Sequence, residues 1–154
     1  MLEIPDGVAI HGNVIFGKGV SVCEPAELNG TGSSITVGDG CDIAAFVVLN
    51  VADSSDRCLG RSQEIRRAPI VIEDHVFVGS HCFIGGGVTI GHHSKVAAGT
   101  IIREPLVIPP YSLVEMGQRK VFFQTPDDRR LQCISERDVF GPIVRKGVYA
   151  PHTS

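Results

Sequence analysis

Six histidines (His11, His75, His81, His92, His93 and His152) are the proton carriers of this chain, since an imidazole titrates close to neutrality. His75, His93 and Tyr111 stand eighteen residues apart, whereas His81 lies alone between Ser80 and Cys82. Carboxylates and hydroxyls gather elsewhere, in Asp53, Ser54, Ser55 and Asp56, within a stretch 53–67 that holds no histidine. A serine hydroxyl is essentially un-ionised at neutral pH and needs a base beside it to act. The five cysteines (Cys23, Cys41, Cys58, Cys82 and Cys133) are odd in number and lack CxxC or CxxH spacing. They predict reduced thiols in a cytoplasmic protein rather than a disulfide frame or a zinc knuckle.

What must position these groups is a six-residue repeat. Ile72, Val78, Ile84, Ile90, Val96, Ile102, Ile108 and Val114 follow one another at that interval, each usually trailed by a small residue. One unit is a short strand plus a turn that cannot bury its apolar side alone. Three units make a triangular coil, so residues eighteen apart stack. The register extends back through Ile4, Ile10, Phe16, Val22 and Leu28, slips by three residues in 30–35, and resumes at Val37, Ile43 and Leu49. Neither the period of an ordinary strand nor that of a helix fits, and sandwich strands vary in spacing where these do not. The expected fold is therefore all-β, a parallel β-helix solenoid of about five coils. The polar, aperiodic residues 53–67 are expected to protrude as one long loop.

Composition agrees. The chain is 43% hydrophobic and 6% aromatic with no Trp, and 18 Gly and 9 Pro supply corners while disfavouring long helices. A formal charge of −3 without a basic run argues against nucleic acid or anionic membrane surfaces as partners. No stretch approaches a membrane span, and the opening residues lack the pattern of a secretory leader. Residues 1–121 are expected to form the β-helix domain and 122–154 a C-terminal cap or tail. In that tail, Thr125-Pro126-Asp127-Asp128 reads as a helix start, with Leu131, Ile134 and Val139 covering the open end of the solenoid.

Residues 72–121 resemble the left-handed β-helix hexapeptide-repeat acyltransferases, in particular their sugar and xenobiotic O-acetyltransferase branch. The segments that carry the resemblance are Val76-Phe77-Val78-Gly79, Gly87-Val88-Thr89-Ile90-Gly91, Ala97-Ala98-Gly99-Thr100-Ile101-Ile102 and Pro109-Pro110-Tyr111-Ser112. The resemblance implies a left-handed solenoid, a homotrimer, and acetyl-CoA as co-substrate in a groove between adjacent subunits, with no metal. It implies a small-molecule acceptor, such as a sugar, whose hydroxyl or amine is acylated. It also implies a histidine in the long loop as general base; here that position falls near Ser54 or Ser55. By the same resemblance Phe77 walls the groove, Ala98 and Gly99 meet the pantetheine arm through their backbone, and Gly117 and Lys120 line the coenzyme site.

Since the loop lacks the histidine, another base is required. Counting units onward from Leu49 places Val78, Val96 and Val114 on the loop's edge, which brings His81 to the coenzyme groove. His81 is then the expected base, with Asp53 or Asp56 as the carboxylate that orients it and Ser55, near the family's histidine position, as a further expected catalytic residue. Two other readings use the same solenoid. A γ-type carbonic anhydrase would need zinc-binding imidazoles where Ser80 and Gly85 stand. A non-catalytic scaffold or ligand-binding homologue would explain the missing loop histidine.

Overall fold

The computed structural model describes residues 3–116 and 142–151. Its strands are short, mostly two to four residues, and are joined by corners. They fall into three stacks by register. Ser21–Val22, Asp42–Ile43, Phe77–Val78, Lys95–Val96 and Leu113–Met116 form the first. Val48–Asn50, Phe83–Gly85 and Ile101–Ile102 belong to the second, and Ile70–Ile72, Val88–Ile90 and Leu106–Ile108 to the third. Two longer strands, Val8–Phe16 and Ala26–Val37, run through both the second and third stacks and join them into one eight-stranded sheet. The result is a parallel β-helix of about 5 turns.

The six-residue positions are the inward ones. Leu28, Leu49, Ile84 and Ile102 line the second stack, Ile43, Val78, Val96 and Val114 the first, and Val37, Ile72, Ile90 and Ile108 the third; none is more than 1% exposed. Branched aliphatic side chains suit this interior because they pack flat against the same residue in the next coil. Ile10 pairs with Leu28 but remains 38% exposed, because its strand has a coil on one side only.

Two departures from the eighteen-residue step are seen directly. Val14 pairs with Ile35 and Phe16 with Val37, so the coil gains the three residues anticipated around 30–35. Leu49 pairs with Ile84, thirty-five residues on, where Ile84 and Ile102 are the usual eighteen apart. The excursion thus adds seventeen residues. It begins and ends as a two-stranded hairpin, Ala52–Asp53 against Arg66–Arg67, with a short helix Ser55–Cys58 inside.

Both departures leave from the same corner. Asn29 and Asn50 are register partners, and each side chain accepts the backbone N–H two residues on, at 3.0 Å. Arg67 then donates to the carbonyl of Thr31 at 2.5 Å, tying the loop to the three-residue insertion. Beneath them lies Gly86, where a Cβ would sit 2.5 Å from the carbonyl oxygen of Val51 and 2.8 Å from that of Ala68. Glycine is needed here by close approach of backbone.

Buried polar groups at the inner corners are satisfied by the coil itself. Ser112 Oγ donates to Pro109 O at 2.7 Å, Thr100 Oγ1 to Ala97 O at 2.6 Å, and Cys82 Sγ to Ala97 O at 3.1 Å. The last described coil is covered along one edge by Pro142–Arg145, which pairs antiparallel with Leu113–Met116. Val144 is fully buried there, and Arg145 meets Glu115 at 2.5 Å. The expected helix start at Thr125 lies outside the described residues.

Two substitutions test this packing. Ile84→Ala should lower the unfolding free energy by about 2–5 kcal/mol in chemical denaturation, as for other fully buried aliphatics. Gly86→Val should spare the coil ladder but speed amide exchange at Ala52 and Ala68, where the loop leaves the solenoid.

Candidate functional site

The corner after the first stack carries His81. Its column is Phe46, His81 and Gly99, one residue from each successive coil, and all three have left-handed backbone with φ of 64°, 61° and 76°. The rings of Phe46 and His81 stack with centroids 4.7 Å apart and planes 3° from parallel. His81 N–H donates to Ala45 O, and Gly99 N–H to Ser80 O at 2.8 Å, which locks the corner to the coils on either side. Below His81 the column carries no further side chain among the described residues: a Cβ on Gly99 would meet none of them within 4 Å. Among the described residues, the imidazole is therefore backed by a ring on one side and by the bare Gly99 position on the other. That arrangement leaves its nitrogens accessible for proton transfer.

Phe77 lies outward on the adjoining face, 37% exposed, with the Lys95 ammonium 5.9 Å from its ring centroid. Ala98 and Gly99 are exposed, as a ligand approaching the corner requires. The Gly99 N–H is already engaged by Ser80, so Gly99 offers a ligand its carbonyl and its missing side chain. Cys82 next to His81 points inward, and burial pushes its thiol pKa up, so it is not an activated nucleophile. Gly117 and Lys120 lie outside the described residues.

The loop residues stand elsewhere. Asp53 accepts the Ser55 N–H at 2.9 Å and the Arg66 guanidinium at 2.7 Å. Hydrogen bonds from the Ser55 hydroxyl and its N–H, then Arg66, lower the Asp53 carboxyl to about 2. Ser55 opens the short exposed helix. The counting that put Leu49 and Val78 on one edge is corrected by the register: Leu49 stacks on Ile84, and Val78 on Ile43. Only the Ile72 unit lies between Leu49 and Val78, one fewer than a full coil requires, so Val78 falls one face short of Leu49. Within one chain, the loop rises from the Gly86 corner and His81 occupies the preceding one. Asp53 is bonded to its own loop, and no contact joins it to His81 among the described residues.

A second aromatic column fills the third corner. His75, His93 and Tyr111 stack with centroids 5.0 and 5.2 Å apart, as their spacing predicts, and His92 packs edge-on against both His93 and Tyr111. His92 and His93 bring their Nδ1 atoms to 3.0 Å, and His92 N–H donates to Glu73. Among the described residues, no three His, Cys, Asp or Glu side chains are placed to hold a metal ion. No described helix is long and apolar enough to cross a membrane. Phe46 escaped the sequence reading. Its only signal is the interval of thirty-five residues to His81, which has no meaning until the loop's true length is known.

Residues 69–104 match the family model "hexapeptide repeat of succinyl-transferase". The chain is 32% identical over 138 residues to a 2,3,4,5-tetrahydropyridine-2,6-dicarboxylate N-succinyltransferase of Xylella fastidiosa, covering 75% of this chain and 48% of that protein. It is 38% identical over 78 residues to the galactoside O-acetyltransferase of Escherichia coli, covering 50% and 37%. Among solved structures, a hexapeptide-repeat acetyltransferase of Vibrio cholerae in complex with acetyl-CoA superposes with a TM-score of 0.60 at 31% identity, covering 69% of this chain and 59% of that one. The chain thus spans about half the length, or less, of the curated relatives it matches. Repeat and fold together give this chain the left-handed β-helix architecture, and hexapeptide-repeat acyltransferases are among its structural neighbours.

Proposed function

We propose that the chain is an acyltransferase that moves an acyl group, acetyl as the first candidate, from CoA to a hydroxyl or amine of a small acceptor such as a sugar. The observation that carries this reading is the His81 corner: an exposed imidazole, held by a stacked ring, above a glycine whose side-chain position is open. Relatives named as O-acetyl- and N-succinyltransferases support the reaction class, and the neighbour holding acetyl-CoA supports the donor. In the reaction, His81 accepts the acceptor's proton as its oxygen or nitrogen attacks the thioester carbonyl. When the tetrahedral intermediate collapses, the imidazolium returns that proton to the departing CoA thiolate. The acyl group is left on the acceptor.

The loop enters through assembly. Since it and His81 occupy different corners of one coil, a site containing both forms between copies, with the loop of one subunit walling the His81 corner of the next. Outward apolar stripes support such packing. Val48, Phe83 and Ile101 align on one face, and Ile15, Val71 and Val107 share another; Ile101 is 47% and Val107 72% exposed. A homotrimer closes these contacts by rotation. In this reading the protein works in the cytoplasm, which its four described free cysteines favour. A ligand-binding homologue without turnover is the competing reading, and the absence of histidine from 53–67 favours it.

Calorimetry with acetyl-CoA comes first: no binding at millimolar ligand would end the transferase reading, while binding without turnover on any acceptor would favour the competing one. His81→Ala should lower kcat by about 10²–10⁴-fold with little change in coenzyme binding. Gly99→Phe places a ring in the open position, and should weaken coenzyme binding or turnover at least tenfold while the fold survives, since Phe46 already adopts this backbone. Asp53→Asn should quicken amide exchange at Ser55. The carboxyl is held below its ordinary range, so the loop's ion pair is complete above about pH 4 and is lost as pH falls through about 2.

A further inference from the structure

Phe46 is a bulky residue in left-handed backbone, a conformation that His75, His81, His93 and Tyr111 also hold at the corners of this solenoid. It is also 53% exposed, so its ring contributes little to the core. The same coil shows that the corner geometry does not demand an aromatic. Its other left-handed corner position is Gly40, and there the next coil's ring, His75, approaches so closely that a Cβ would lie 2.4 Å from Nδ1. At residue 46 the chain instead keeps a full phenyl ring in the strained conformation, anchored by its N–H to Pro25 O at 2.6 Å. The contact this secures is the near-parallel stack on His81. Of the ring contacts along the left-handed corners this one is the most nearly parallel, at 3° against 43° for His75 on His93 and 26° for His93 on Tyr111.

We propose that Phe46 is a positioning residue for His81: its ring fixes the imidazole plane and presents a π face to the imidazolium that forms when His81 takes the acceptor's proton. The inference rests on His81 being the base. A cation formed over an aromatic face is stabilised relative to the neutral ring, so the benefit arises during turnover and not in coenzyme binding. With Gly99 bare on the opposite side, the stack restrains His81 without covering the side from which substrate comes.

The test compares Phe46→Leu, Phe46→Tyr and His81→Ala in full-length protein, with acetyl-CoA as donor. Phe46→Leu should lower kcat about two- to fivefold, the worth of an exposed cation–π contact, with KM for acetyl-CoA unchanged. Phe46→Tyr should restore kcat. In proton NMR the His81 ring signals should move downfield in Phe46→Leu as the ring current is lost, and return in Phe46→Tyr. If the NMR shift moves but kcat does not, or if Tyr fails to restore kcat, Phe46 has no positioning role. A purely structural role would lower the melting temperature of Phe46→Leu without the split between kcat and KM, and would equally overturn it. If His81→Ala retains turnover, the assignment of the base falls instead, a result separable from the Phe46 outcomes.

Discussion

Register between coils is the constraint on which everything else in this molecule depends. Each short strand inside a stack is hydrogen-bonded to the strand in the coil before and the coil after, and none could bury its apolar side alone. The inward aliphatic columns and the outward corner columns are one consequence of this alignment. A slip of one residue would turn every inward side chain outward. The chain tolerates additions only at corners, where they leave the ladder in step. That is where both the three-residue insertion and the seventeen-residue loop are found.

Corners are the expressive part of such a solenoid. Two columns of left-handed residues run along it, and each is filled differently. One carries Gly40, His75, His93 and Tyr111, a nearly continuous aromatic stack that seals its edge. The other carries Phe46, His81 and Gly99, a stack that stops one coil short. The same backbone therefore carries two different fillings: the first column opens on Gly40 and continues with rings, whereas the second opens on the Phe46 ring and reaches Gly99 two coils later. Inside the corners, Ser112, Thr100 and Cys82 return their polar atoms to carbonyls of the coil.

The loop is built as a rigid departure rather than a slack one. Asn50 turns the chain out, the Asp53–Arg66 pair closes the hairpin, and Arg67 fastens it to the insertion above. Its rim position makes the Asp53–Arg66 pair a modest contributor to stability, since both side chains are well exposed. Its value is geometric: it sets the direction in which the polar residues 54–65 leave the solenoid.

The six-residue period was enough to establish the architecture, the inward residues from Leu28 to Val114, the three-residue slip and the stacking of His75, His93 and Tyr111. These follow from spacing alone, because a periodic backbone repeats its own geometry. The corner that His81 shares was not legible in the same way. Counting fails across an aperiodic loop because the number of strand units it replaces cannot be read from spacing, and only hydrogen-bond pairing shows that Leu49 lies on Ile84 rather than Val78. Phe46 as the partner of His81, and the Gly86 corner as the seat of the loop, were decided by the tertiary structure. Both join residues thirty-five apart, an interval set by how far the loop carries the chain before it returns to register.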